Sequence, residues 1–308
     1  MTATPLSGAG GPATPREVLV VPHMHRAAAR EAAATTARLL LQAGVMVRVP
    51  EGDCDVFDGI DVRPVPDARA AEGAELVVVL GGDGTILRGA EMAHAARVPL
   101  LGVNLGHVGF LAEAEPDALP DTVRRVVARD YTVELRMTLD VEVRHEGVVV
   151  QRQWALNEAS VEKTARQKML ELVVEVDGRP LSRWGADGVV LATPTGSTAY
   201  AFSAGGPVVW PDVEALLLVP LSAHALFARP LVVSPDSTLA IDVVSPTGAL
   251  WCDGRRTFDL PPGARIEVTR GSEPIRLARL HAAPFTDRLV AKFALPVEGW
   301  RGRSGGTG

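Results

Sequence analysis

The sequence predicts an α/β domain with a mostly parallel sheet, followed by a mainly β domain. Three observations carry this. Over residues 16–136, short Val- and Leu-rich runs alternate with longer stretches of helical composition, the succession that builds β-α-β units. Residues 76–80 read Leu-Val-Val-Val-Leu without a polar break, as a strand covered on both faces of a parallel sheet requires. Beyond Met137 the texture changes to apolar/polar alternation punctuated by turn residues, with few helical stretches.

In chain order, residues 1–15 are small and rich in Gly, Pro and Thr. They lack the basic start and apolar run of a secretory signal and read as a disordered leader. Residues 18–21 form the first expected strand, and the Ala- and Leu-rich span 26–42 a helix that Gly44 stops. Residues 45–49 read as the next strand. After 76–80 comes the turn Gly81-Gly82-Asp83-Gly84, then a helix over 85–96, a strand over 98–103 and a helix over 115–129 with Pro116 in its first turn. In the second domain, 137–280, Leu139-Asp140-Val141-Glu142-Val143-Arg144 alternates as a strand and meets a turn at His145-Glu146-Gly147. Runs at 172–176, 189–192, 239–244 and 266–269 continue the β theme. The amphipathic stretch 285–295, within a last segment 281–308, is expected to pack back on the first domain; residues from 301 onward look unstructured. There is no fixed-period repeat.

Composition narrows the function. A chain of 308 residues has room for about two domains. It contains no uninterrupted apolar run of the roughly 18 residues that a membrane span needs, so no membrane partner is expected. A formal charge of −6 argues against a dedicated nucleic-acid binder, yet leaves room for a local basic pocket. Cys54 and Cys252, far apart, read as small hydrophobes in a reducing, cytoplasmic setting rather than as a disulfide. His23 and His25 stand together with no third ligand evident, and no metal-ligating set of residues is visible.

Three segments carry chemistry. Gly81, Gly82 and Gly84, with Thr85, end a buried strand and open a helix. Their backbone can approach a phosphate closely, and the helix N-terminus favours negative charge. Asp83 inside that turn either caps the helix, holds a cation or accepts a proton. The turn is neither a Walker loop nor a GxGxxG fingerprint. The second segment runs Ala186-Asp187-Gly188, then Thr193-Pro194-Thr195-Gly196-Ser197-Thr198-Ala199-Tyr200-Ala201-Phe202-Ser203-Ala204-Gly205-Gly206-Pro207. Its hydroxyls and loop amides suit sugar and phosphate, and Tyr200 a planar ring. The third, Asn157-Glu158, can hold vicinal ribose hydroxyls, although alone it reads better as an exposed polar turn.

Together these segments resemble the NAD kinase family, from about residue 76 to residue 300. The resemblance includes Asn104-Leu105-Gly106-His107-Val108-Gly109-Phe110-Leu111, the stretch around Ser222-Ala223-His224-Ala225-Leu226, and a closing Gly299-Trp300-Arg301-Gly302 similar to actinobacterial members. The turn at 81–85 is shared with lipid kinases; the 193–207 block is far more discriminating. The resemblance implies an NAD kinase-like fold and transfer of a phosphoryl group from ATP, or from inorganic polyphosphate, to the adenosine 2′-hydroxyl of NAD. It implies that Asp83 is the general base, that Gly84 lies beside it in the NAD and phosphate site, and that Asn157, Glu158 and Asp187 contact NAD. By the same resemblance Thr198, Ala199, Tyr200, Ala201, Phe202 and Ser203 line the dinucleotide pocket, while Arg88 and Lys168 are further phosphate or NAD contacts. A divalent cation, Mg2+, carried on the donor phosphates, and a dimeric or tetrameric assembly complete the implication. The alternatives are a lipid kinase of the diacylglycerol or sphingosine type and a non-catalytic NAD-sensing module.

Overall fold

The computed structural model describes residues 15–104, 109–112, 118–164, 168–281 and 284–297. The leader up to residue 14, residues 105–108 of the glycine-rich stretch, the start of the helix expected from 115, and the closing segment from 298 lie outside the described residues.

The first sheet has seven strands. From edge to edge these are β3 (Arg63–Val65), β2 (Met46–Pro50), β1 (Glu17–Pro22), β4 (Leu76–Leu80), β5 (Leu100–Val103), β19 (Ile275–Arg279) and β6 (Thr132–Arg136). Strands β3 to β5 and β19 pair in parallel; β6 alone runs antiparallel, against β19. Every residue of β4 is buried because helices cover both faces. Helices α1 (Ala27–Gln42) and α3 (Leu119–Ala128) pack on one face, with Val18, Val20, Leu76 and Val78 beneath them. Helix α2 (Asp83–Ala96) packs on the other over Val77, Val79 and Leu100.

Two expectations shift here. Helix α2 begins at Asp83, two residues before the expected start, because extended Gly82 serves as its N-cap. Helix α3 begins at Leu119 with Pro120 in its first turn, a place where the missing N–H costs nothing. Strand β19 follows the whole second unit in sequence and yet completes the first sheet, so residues 275–279 cross the boundary drawn at 280 from the sequence.

The second unit is two six-stranded antiparallel sheets laid face to face. One contains β11 (Arg179–Ala186), β10 (Leu170–Val176), β15 (Leu239–Val243), β18 (Arg265–Arg270), β7 (Leu139–His145) and β8 (Val148–Ala155). The other contains β14 (Leu231–Val233), β13 (Leu216–Leu221), β12 (Gly188–Ala192), β9 (Glu158–Glu162), β16 (Gly248–Cys252) and β17 (Arg256–Leu260). Alternate residues of both sheets, such as Val141, Leu172, Trp184, Val189, Leu218 and Leu250, meet in one apolar core, the sandwich arrangement that period-2 patterning calls for. The β7–β8 connection is tight, with Glu146 at φ 50° and Gly147 at φ 79°, the left-handed pair that a two-residue hairpin demands. Cys54 and Cys252 are free, and burial pushes the Cys252 thiol up to about 12.

Strand β12 is buried along its full length. Its second face packs, through Val190 and Ala192, on Ala201 of the one-turn helix α4 (Tyr200–Ser203) and on Val209. A last helix, α5 (Phe285–Phe293), buries no residue fully but bridges the two units. Its Phe293 ring lies 6.0 Å from Phe110 on one side and 4.8 Å from Phe202 on the other.

Candidate active site

The turn after β4 is built by close approach. A Cβ on Gly81 would lie 2.5 Å from Thr85 Oγ1, so only glycine lets the strand turn directly into α2. Asp83, the first helical residue, is held beneath Gly109, where a Cβ would stand 2.5 Å from Asp83 Oδ1. That oxygen is buried with no hydrogen-bond partner. Burial holds the carboxyl above its ordinary value, opposed by the charge of Lys292 and by the Leu111 N–H donated to it. An unmatched buried acceptor is costly, and Asp83 is one of the residues lining a cleft of about 740 Å³, with Gly82, Gly84, Thr85, His23, Arg88 and Arg255 among the others. Arg88 thus reaches the cleft, though its guanidinium is engaged by Asp53 at 2.8 Å and Asp67 at 3.3 Å.

Asn157 and Glu158 are 8% and 7% exposed, so the exposed-turn reading of this dipeptide is overturned. Asp253 is the physical reason. Its carboxylate accepts the N–H groups of Leu156 at 3.0 Å and Asn157 at 2.7 Å, and its own N–H donates to Glu158 O at 2.9 Å. Glu158 accepts the Tyr200 N–H, but its Oε2 is buried without a partner. Burial, reinforced by the neighbouring Asp253 charge, pushes Glu158 up to about 8. Its burial thus favours the protonated carboxyl over the carboxylate.

The 193–207 block divides into scaffold and surface. Thr193 Oγ1 donates to Leu156 O at 2.6 Å, and Ser197 Oγ donates to Pro194 O at 2.6 Å while accepting the Val209 N–H at 3.0 Å. These buried hydroxyls are committed internally, contrary to the expectation that the hydroxyls of the block face a ligand. Ala201 packs in the apolar cluster behind β12. Tyr200 and Ser203, in contrast, line a second cleft of about 500 Å³ with Asp187, Glu162 and Lys163. Thr198 Oγ1 donates to Thr195 O at 3.2 Å, Ala199 is half-buried, and Phe202 turns its ring toward Phe293. Lys168 is exposed and lines neither cleft.

Two sets of residues escaped the sequence reading. Lys163 forms an ion pair with Asp187 and holds that carboxyl below its ordinary value. Asp253 leads to Arg256 at 2.7 Å, and Arg255 and Arg256 both pair with Glu91 of α2, at 3.0 and 3.3 Å. Arg256 also lies over the Trp154 ring at 4.4 Å, on which His94 of α2 stacks at 3.9 Å. The helix that begins at Asp83 is thereby tied to the strand ends that carry Asn157-Glu158. The motif Cys252-Asp253-Gly254-Arg255-Arg256 was the available signal, a charged turn between two β runs.

This arrangement has close relatives. Residues 18–131 match the ATP-NAD kinase N-terminal domain and residues 156–280 the ATP-NAD kinase C-terminal domain. The chain belongs to the NAD kinase family. It is 60% identical to the NAD kinase of Thermobifida fusca, over 96% of this chain and 95% of that one. It is 62% identical to NAD kinase 2 of Streptomyces coelicolor, over 93% and 97%. Among solved structures it is similar to yeast NADH kinase complexed with NADH, with a TM-score of 0.85 and 26% identity over 92% of this chain and 89% of that one. An NAD kinase from Archaeoglobus fulgidus in complex with ATP gives 0.69 and 26% over 91% and 98%. The N-terminal match contains the turn at Asp83 and the C-terminal match contains Asn157, Glu158, Asp187 and Tyr200. The protein is accordingly a kinase that acts on NAD, with ATP as donor, and neither the lipid-kinase nor the sensing reading is favoured. NAD kinases generally need a divalent metal. Among the described residues no three His, Cys, Asp or Glu side chains gather into a metal-binding group, and no helix is long and apolar enough to cross a membrane.

Proposed function

We propose that Asp83 is the general base of NAD phosphorylation, working in a cytoplasmic enzyme. The observation that carries this is its buried, unpartnered Oδ1 at the N-terminus of α2, behind a turn whose glycines leave room for phosphate. The 2′-hydroxyl of the adenosine ribose attacks the γ-phosphorus of ATP. Its proton passes to Asp83, the bond from phosphorus to the bridging oxygen breaks, and ADP leaves. A carboxyl held above its ordinary value by burial is a better proton acceptor than an exposed aspartate. The free N–H groups of the first turn of α2 face the phosphates that accumulate charge.

Asn157 and Glu158 hold the ribose. Glu158, in its protonated form, donates to a hydroxyl oxygen, while the Asn157 amide offers both a donor and an acceptor. Asp187, Tyr200 and Ser203 line the outer part of the dinucleotide cleft. Asp253 positions the pair by fixing its backbone. A divalent cation, which we take to be Mg2+, would be carried on the donor phosphates and would neutralise their charge; among the described residues no group of three His, Cys, Asp or Glu side chains offers it a protein site. Inorganic polyphosphate offers the same phosphoryl chemistry as ATP and is a second donor in this reading.

Asp83→Asn tests the assignment, because Asn is nearly isosteric and its amide oxygen can still accept the Leu111 N–H, but it is a far poorer proton acceptor. Turnover should fall by about 10²-fold or more, the scale of a lost general base, with NAD affinity close to that of the unaltered protein. Turnover near normal would remove Asp83 from the chemistry, and recovery on raising Mg2+ would reassign it to the cation.

A further inference from the structure

Helix α2 offers the second unit more than Asp83. Asp83, Leu87, Glu91 and His94 follow one another at spacings of four, four and three residues, so they share one face of the helix. Both of the last two meet the second unit. His94 stacks on Trp154 with ring centroids 3.9 Å apart and planes 16° from parallel. Glu91 Oε1 lies 3.3 Å from Arg256 Nε.

Arg256 opens β17, opposite Cys252 of β16, which in turn stands opposite Ala159 of β9. From there its one guanidinium engages three groups. Nη2 donates to Asp253 Oδ2 at 2.7 Å, Nε pairs with Glu91, and Cζ lies 4.4 Å from the Trp154 ring centroid. Asp253 passes the constraint on, because its carboxylate accepts the N–H groups of Leu156 and Asn157. Trp154 does so through the chain itself, three residues before Asn157.

Stability alone is a weak reason for this arrangement. The Arg256 side chain is 20% exposed, and its Nη1 is buried without a hydrogen-bond partner. A buried ion pair often adds nothing net over apolar packing, because desolvation offsets the attraction. What a guanidinium supplies is direction: a planar fork lying on a ring fixes two carboxylates in one geometry, which the point charge of a lysine does not. Glu91 stands eight residues along α2 from Asp83, about 12 Å at the helical rise. A turn of the helix about its axis that displaced Glu91 would therefore displace Asp83 with it.

We propose that Arg256 is a positioning residue for the phosphoryl transfer: by holding Glu91 and Asp253 together beside Trp154, it keeps the Asp83 face of α2 in register with Asn157-Glu158. The proposal rests on the reading that Asp83 is the base and that Asn157-Glu158 hold the ribose.

The test is steady-state kinetics of the full chain with NAD and ATP, with kcat taken per folded chain by circular dichroism at the assay temperature. Arg256→Lys keeps a positive charge beside Asp253 but loses the fork. Its kcat should fall about tenfold or more, with KM for NAD and for ATP within about twofold, as expected when bound reactants are misaligned rather than released. A purely structural role would lower Tm and leave kcat per folded chain unchanged. Glu91→Gln breaks the tie to α2 while leaving Arg256 on Asp253; kcat should fall about threefold, with Tm hardly altered because the pair is partly exposed. The double variant should be no slower than Arg256→Lys alone, since both changes cut the same tie. Unchanged kcat in the single variants, a rise in KM without loss of kcat, or losses that multiply in the double variant would overturn the proposal. If Arg256→Lys does not fold, Glu91→Gln decides, and unaltered kcat there overturns it equally. Failure of the underlying reading shows elsewhere, as near-normal turnover in Asp83→Asn or an unaltered KM for NAD in Asn157→Ala.

Discussion

Glu158 is the residue whose behaviour departs furthest from what its sequence position suggests. Asn157-Glu158 reads as an exposed turn because the contacts that bury it come from Asp253, far along the chain, and no local pattern records them. The turn that carries Asp83, by contrast, was legible, since Gly81, Gly82 and Gly84 are its sequence neighbours, whereas Gly109, which lies over the carboxylate, is remote in the chain. The pH consequence for Glu158 follows from linkage. Below its ordinary value of 4.5 the carboxyl holds its proton in both folded and unfolded chains, and stability is unaffected. Between 4.5 and about 8 the unfolded chain has released a proton that the folded chain retains, so stability falls as pH rises through this window. Glu158→Gln mimics the protonated side chain and should flatten the dependence while leaving the fold intact. Thermal unfolding of both proteins from pH 5 to 8.5 checks this; parallel curves would show that Glu158 is ionised in the folded state.

At the scale of elements, local patterns placed β4, the β7–β8 hairpin and α1 to within a residue or two, because periodicity and turn chemistry are local. The return of β19 to the first sheet was not legible, since a strand of five residues carries no record of which sheet it joins. The turn over residues 195–198 shows how tightly two elements can be fitted. A Cβ on Gly196 would lie 1.9 Å from Asn157 O, so the glycine is required by space rather than by a left-handed φ. Gly196→Ala must push the turn off the β9 entry and should cost about 1–3 kcal/mol or more, the range for overpacking. Because the displaced neighbour is Asn157, KM for NAD should rise as well. Denaturant unfolding together with NAD kinetics measures both, and a variant with unaltered stability and KM would contradict the packing.

For the whole molecule, the proposed mechanism needs the turn at Asp83 in one unit aligned with Asn157-Glu158 of the other. The structure supplies two ties: the Glu91–Arg256–Asp253 chain, and α5 with Phe293 between Phe110 and Phe202. A third feature faces outward. Leu226 is fully exposed and Phe227 46% exposed, while Met169 and Leu181 are each 45% exposed on or beside β11. His224 joins this surface to β11 through its N–H, donated to Gly185 O at 2.8 Å, close to the cleft of Asp187. Large apolar side chains are costly to leave in water, and exposed ones that adjoin mark contact surfaces. We propose that they are covered by a second copy of the chain, in a dimer or tetramer, which brings a subunit contact next to the dinucleotide cleft. Light scattering should then give a multiple of 32.5 kDa at assay concentration. Leu226→Asp should shift the mass toward the monomer and raise KM for NAD, with Asp83 chemistry otherwise intact. An active monomer of the unaltered protein at that concentration would remove the assembly from the mechanism, and a monomeric Leu226→Asp with unchanged KM would show that the contact leaves the cleft untouched.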